Sequence, residues 1–123
     1  MKLDFSSEKP IYLQLAEGLE DAILSGAFPE GEQVPSTTEI SVTYQINPAT
    51  ALKGINLLVA NGILYKKRGV GMFVSPGAKE QILKQRQDAF YQNFILPLVS
   101  EAHKLELSKG QVLELLGKGF DHE

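Results

Sequence analysis

Apolar residues recur every four positions at Ile11, Leu15, Leu19 and Ile23, while Glu17, Glu20 and Asp21 fall on the other side. This spacing predicts an amphipathic helix that has Pro10 in its first turn and stops at Gly26. The next ten residues, Gly26 to Pro35, hold two glycines and two prolines and read as a loop. Ser36-Thr37-Thr38-Glu39 has the spacing of a capping box and predicts a second, short helix with Ile40 and Tyr44 inward, ending near Gln45 or Ile46. Asn47-Pro48 is another start signal, because Asn caps well and Pro is favoured at the first helical position. The third helix then runs to Asn61-Gly62, with Ala51, Ile55, Leu58 and Val59 inward and Ala49, Thr50, Lys53 and Asn56 outward. A glycine inside it, Gly54, costs up to about 1 kcal/mol relative to alanine, which predicts a close backbone approach at that point.

Two β-rich runs follow, Ile63 to Lys67 and Val70 to Ser75, joined around Arg68-Gly69 as a hairpin, before a break at Pro76-Gly77. From Ala78 the chain turns Gln- and Lys-rich, and Ile82, Leu83, Ala89, Phe90, Phe94, Leu98, Ala102 and Leu105 keep helical spacing. Pro97 should kink or divide that helix. Ser108 to Gln111 resembles another capping start, for a last helix with Val112, Leu113, Leu115 and Leu116 on its apolar side. Asp121-His122-Glu123 reads as a disordered end. About 45 residues of helix cannot enclose a core unaided, so the tail needs a partner surface. The expected fold is mainly α with a small β-hairpin: a winged helix-turn-helix over residues 1–76, then a helical dimerisation tail over 77–123.

Charge sharpens this reading. The 123 residues carry a formal charge of −3, which alone speaks against binding a polyanion. From Ile40 to Lys79, however, there is no Asp or Glu, where the average frequency would place about five, and the window holds Lys53, Lys66, Lys67, Arg68 and Lys79. An acid-free third helix beside a cationic hairpin can approach phosphates, whereas a generic three-helix core has no reason to exclude acids from both. Lys66-Lys67-Arg68 at a hairpin tip could guard a sheet edge, but beside that helix they fit phosphate contacts, with Arg68 able to enter a minor groove. Gly69 and Gly71 would let the hairpin backbone come close to the sugar-phosphate chain.

Other chemistries find little support. Cysteine is absent, which removes disulfides and thiolate sites and suits a reducing cytoplasm. No signal peptide or membrane span is expected. His103 and His122 stand without ligand partners at metal-binding spacing, no nucleophile, base and orienting group form a set, and the Gly26 to Pro35 loop lacks a phosphate-binding lysine. No enzyme activity, catalytic residue, metal or cofactor is expected. The alternative to DNA binding is a winged domain that binds protein through its third helix or the Phe90/Phe94 tail.

The motifs P-I-Y-x-Q at Pro10 to Gln14, G-x-F-x-x-G-x-x-V-P-S at Gly26 to Ser36 and G-x-G-x-F-V at Gly69 to Val74 resemble the DNA-binding domain of GntR-type bacterial transcription regulators across positions 10–75. The Asn47-Pro48-x-Thr50 opening and the short tail are similar to the YtrA subfamily. That resemblance implies a homodimeric regulator on a palindromic double-stranded DNA operator; a repressor is expected ahead of an activator, and the choice between them is left open. By motif position it implies DNA contacts from Ser36, Thr37 and Thr38, from Asn47, Ala49, Thr50 and Lys53, and from Lys67, Arg68 and Gly69, and the charge of the hairpin adds Lys66 as a phosphate contact. Dimerisation would fall to Ile82, Phe90, Phe94, Leu98 and Leu105. Thr38 and Pro48 stand where members often have arginine, and Leu52 where they usually have a polar residue, which leaves open which bases are read. The tail has too few residues to form an effector pocket unless the dimer interface makes one, and whether a small-molecule effector exists is left open.

Overall fold

A computed structural model describes residues 1–122 and divides the chain into two compact units, one from Met1 to Lys84 and one from Gln85 onward. The elements are α1 (Ile11–Ser25), α2 (Thr37–Tyr44), α3 (Pro48–Ala60), β1 (Leu64–Lys67), β2 (Gly71–Val74), α4 (Ala78–Phe90), a π-helical turn (Tyr91–Ile95), α5 (Leu96–Lys104) and α6 (Lys109–His122). Among the described residues, no helix is long and apolar enough to cross a membrane.

The first unit is built on the predicted stripes. Leu15, Leu19 and Ile23 of α1 meet Ile40 of α2 and Ala51, Ile55 and Leu58 of α3, and Ile63, Leu64 and Val74 close the core from the hairpin side. Val59, expected inward, is only partly buried, and Gly54 takes its place in the buried stripe. Gly54 is where α1 and α3 touch: a Cβ there would lie 3.0 Å from both the Tyr12 carbonyl oxygen and Leu15 Cδ2. The glutamine of the P-I-Y-x-Q segment has a mechanical role. Gln14 Nε2 donates to the carbonyls of Asp4 and Lys9, and its Oε1 accepts from the Asp4 N–H at 2.8 Å, so one side chain fastens the N-terminal segment to α1.

Two further features of this unit depart from the sequence reading. Residues 31–34, read as plain loop, pair with β2: Gly31 N–H donates to the Val74 carbonyl, Val74 N–H to Glu32 and Val34 N–H to Met72, at 2.8–3.0 Å. Gln33 and Phe73 form an isolated antiparallel bridge, so β2 is flanked on both sides, by this segment and by β1 in the register Leu64↔Val74 to Lys67↔Gly71. Ile82, expected among the dimerisation residues, is fully buried in the core of the first unit together with Ala78. Both lie early in α4, at the spacing that puts them on one face, and there they complete that core.

In the second unit Pro97 divides the helix without breaking it. Proline supplies no N–H for the usual i−4 bond. The chain responds with the π-helical turn, in which Leu96 N–H reaches back five residues to the Tyr91 carbonyl, and Pro97 enters the first turn of α5. The capping start holds: Gln111 N–H donates to Ser108 Oγ at 3.1 Å and Ser108 N–H to Gln111 Oε1 at 2.8 Å. Asp121 and His122, expected to be disordered, belong to α6, and Glu123 lies outside the described residues. Only Ala102 is buried among this unit's described residues, and α5 and α6 flank an open apolar groove of about 730 Å³.

Candidate nucleic-acid interface

The helix-turn-helix formed by α2 and α3 is fastened at three places. Ser36 Oγ accepts from the Glu39 N–H and Glu39 Oε1 from the Ser36 N–H, both at 3.0 Å, which completes the predicted capping box. These bonds favour the ionised carboxylate and hold the Glu39 carboxyl below its usual range, first through the Ser36 backbone N–H and then through its side chain. At the far end Gln45 takes a left-handed conformation with φ 53°. The buried Ser41 hydroxyl donates to the Ile46 carbonyl at 2.7 Å while Ile46 N–H returns to the Ser41 carbonyl. Asn47 Oδ1 then caps α3 by accepting from the Ala49 N–H at 2.7 Å, with Pro48 as first helical residue. Of the Asn47 side chain, only the amide NH₂ remains to donate outward.

Along α3, buried Ala51, Gly54, Ile55 and Leu58 define the inner face, and Ala49, Leu52, Lys53 and Asn56 are exposed. At about 100° per residue, Ala49 and Asn56 share the centre of the outer face, with Leu52 about 60° to one side and Lys53 about 40° to the other. Thr50, a candidate contact, is only half-exposed at the margin, as is Thr37 on α2, whereas Ser36, Thr38 and Asn47 are open. The Lys53 ammonium sits 4.1 Å from the centre of the Tyr12 ring on α1, a cation–π contact that draws it toward α1. Leu52 and Asn56 were not among the contacts expected from sequence. Asn56 falls outward by helical spacing, and Leu52 is apolar on the same exposed face.

The wing holds Lys66, Lys67, Arg68 and Gly69, all exposed. Val70 N–H donates to the Lys67 carbonyl at 2.9 Å across a turn whose third residue, Gly69, has φ 76°, the left-handed position a type II turn reserves for glycine. Lys67 Nζ lies 4.3 Å from the Phe73 ring centre, and Phe73 stacks on Tyr65 at 5.8 Å. Gln33 Nε2 donates to the Val70 carbonyl at 2.9 Å from 37 residues away, passing over Gly71, where any Cβ would overlap that amide. The structure thus places all eleven candidate DNA contacts in one unit, on α2, α3 and the wing, with α3 packed directly against β1. Neither α3 nor the hairpin carries a carboxylate, and the described residues hold no group of three or more His, Asp or Glu able to take a metal. In the second unit Phe90, Phe94 and Leu105 are exposed, Leu98 is half-buried, and the rings of Phe90 and Phe94 lie 5.4 Å apart.

Residues 11–74 match the family described as bacterial regulatory proteins, gntR family. The chain is 27% identical to the HTH-type transcriptional repressor YtrA of Bacillus subtilis, over 84% of this chain and 78% of that protein. Its fold is similar to a crystal structure of a transcriptional regulator of the GntR family from Bacteroides thetaiotaomicron, with TM-score 0.73 and 28% identity over 91% of this chain and 97% of that one. It is also similar to the AraR DNA-binding domain solved in complex with operator ORX1, with TM-score 0.56 and 26% identity over 61% of this chain and 96% of that one.

Proposed function

Because the chain belongs to the GntR family of bacterial regulatory proteins, a family of DNA-binding transcription regulators and not of enzymes, we propose that it is a cytoplasmic homodimeric repressor that occupies a palindromic double-stranded operator. In this reading residues 1–76 carry the DNA-binding domain and the tail from residue 77 carries dimerisation, with Ile82 excluded from the interface by its burial. The observation that carries it is the carboxylate-free surface of α3 and the wing on a chain whose net charge is −3. Lys53, Lys66, Lys67 and Arg68 anchor phosphates. Ser36, Thr37, Thr38 and Gly69 approach the backbone, and Asn47, Ala49 and Thr50 approach base edges. Pairing is supported by the second unit, where Phe90, Phe94, Leu105 and Phe120 stay exposed on helices too few to bury them.

Binding to a duplex selected from a random pool, titrated in salt, tests the reading. About eight cationic contacts per dimer give a slope of log affinity against log salt near −7, and Arg68→Ala on both subunits should make it shallower by about 1.8. An Arg68→Ala protein with the slope and affinity of the wild type would remove the wing from the interface. Failure to retain any duplex at low salt would overturn DNA binding by this surface, and sedimentation as a monomer at micromolar concentration would overturn the dimer.

A further inference from the structure

The outer face of α3 contains no arginine, and neither does α2; the chain's two arginines are Arg68, on the wing, and Arg86, in the second unit. Bidentate contact from Arg or Lys to guanine is the commonest specific reading in a major groove. On α3 the one cation able to make it is Lys53, and its ammonium is drawn against the Tyr12 ring. The centre of the outer face is instead Ala49 and Asn56, flanked by Leu52, a leucine 44% exposed on a helix whose inner stripe is otherwise complete. Leaving that side chain in water serves no packing purpose in this unit. Its chemistry and that of Ala49 fit one groove feature, the thymine C5-methyl, while the Asn56 carboxamide fits the N6 and N7 edge of adenine. A narrow minor groove, favoured by A·T tracts, is also where an exposed cation such as Arg68 is best accommodated.

We propose that this surface reads A·T pairs rather than guanine: Ala49 and Leu52 contact thymine methyls, Asn56 pairs with an adenine, and Leu52 and Asn56 are specificity-determining residues. The inference rests on the DNA-binding reading above. Its test uses the full chain and duplexes enriched by selection from a random pool. The enriched core should be led by A·T pairs at the positions facing α3. Replacing thymine by deoxyuridine at one such position removes only the methyl and should weaken binding about three- to fivefold per methyl group, as expected for burying one methyl. Leu52→Ala and Leu52→Gln should abolish that sensitivity to the methyl at the Leu52 position, and neither touches the buried core. Asn56→Ala should relax the preference for adenine at one position by about tenfold or more. Enriched sites led by guanine opposite α3, affinity indifferent to deoxyuridine throughout, or a methyl effect that persists in both Leu52 variants would each overturn the proposal while leaving DNA binding intact. If no sequence is enriched because no duplex is retained, both this proposal and the DNA-binding reading fall.

Discussion

Gly54→Ala sets two effects of known size against each other. Alanine is the better helix former by up to about 1 kcal/mol, and at an open position in a helix that gain would prevail. At Gly54 the added methyl would meet the Tyr12 carbonyl oxygen and Leu15 Cδ2 at 3.0 Å and Leu15 Cγ at 3.3 Å. Comfortable carbon–carbon contact begins at about 3.5 Å, so α1 and α3 must part by several tenths of an ångström or Leu15 must leave its rotamer. Leu15 is completely buried, and one of the three clashing atoms is backbone, which leaves little room for local relief. Overpacking of this kind costs about 1–3 kcal/mol, so after the helix-propensity gain the net expectation is a loss of up to about 2 kcal/mol. In a unit of this size each kcal/mol lowers Tm by about 4–8 °C. Urea denaturation of wild type and Gly54→Ala, fitted with a common m-value, reads the difference directly. A variant stabilised by about 1 kcal/mol, the full helix-propensity gain, would refute the close packing of α1 on α3, and with it the account of why a glycine interrupts α3.

Three further outcomes follow from contacts in the first unit. Ile82→Ala should destabilise that unit by about 2–5 kcal/mol, as for other buried isoleucines, while leaving the folded protein's oligomeric state unchanged in sedimentation; loss of association without loss of stability would return Ile82 to an interface. Gln33→Leu keeps the bulk but cannot donate to the Val70 carbonyl, so amide exchange at the wing turn should accelerate and DNA affinity fall, with little change in the melting of the helical core; protection equal to wild type would show the latch is idle. The capping box makes α2 sensitive to acid. Because the Glu39 carboxyl is held below its ordinary range when folded, its contribution is complete above the unfolded value and is lost as pH falls through the folded one. Wild type should therefore lose more stability than Glu39→Gln on acidification, and parallel pH profiles for the two would contradict this.

How much was legible can be judged from particular residues. The caps at Ser36, Asn47 and Ser108 were readable because a cap joins groups two or three residues apart, and that spacing is written in the sequence. The same locality explains Gly54, where a poor helix former inside a strong stripe signals contact with something close. The acid-free window was visible as composition, and once the helix and hairpin fold it becomes a surface with no further information needed. The pairing of residues 31–34 with β2 was not readable, since it is made by backbone groups that any sequence supplies and lies in a segment punctuated by glycine and proline.

The amino-acid order by itself determined the helices, the hairpin, the caps that start α2, α3 and α6, and the sign of the charge on α3 and the wing, because each depends on neighbours within a turn or on a simple absence of acids. Tertiary structure alone decided that Gln33 holds the wing turn, that Tyr12 draws Lys53 toward α1, that Leu52 stays in water and that Ile82 does not. Those outcomes depend on which remote surfaces fill a shared volume. An apolar residue at helical spacing looks the same in sequence whether the face it lies on meets its own core, a second chain or a nucleic acid.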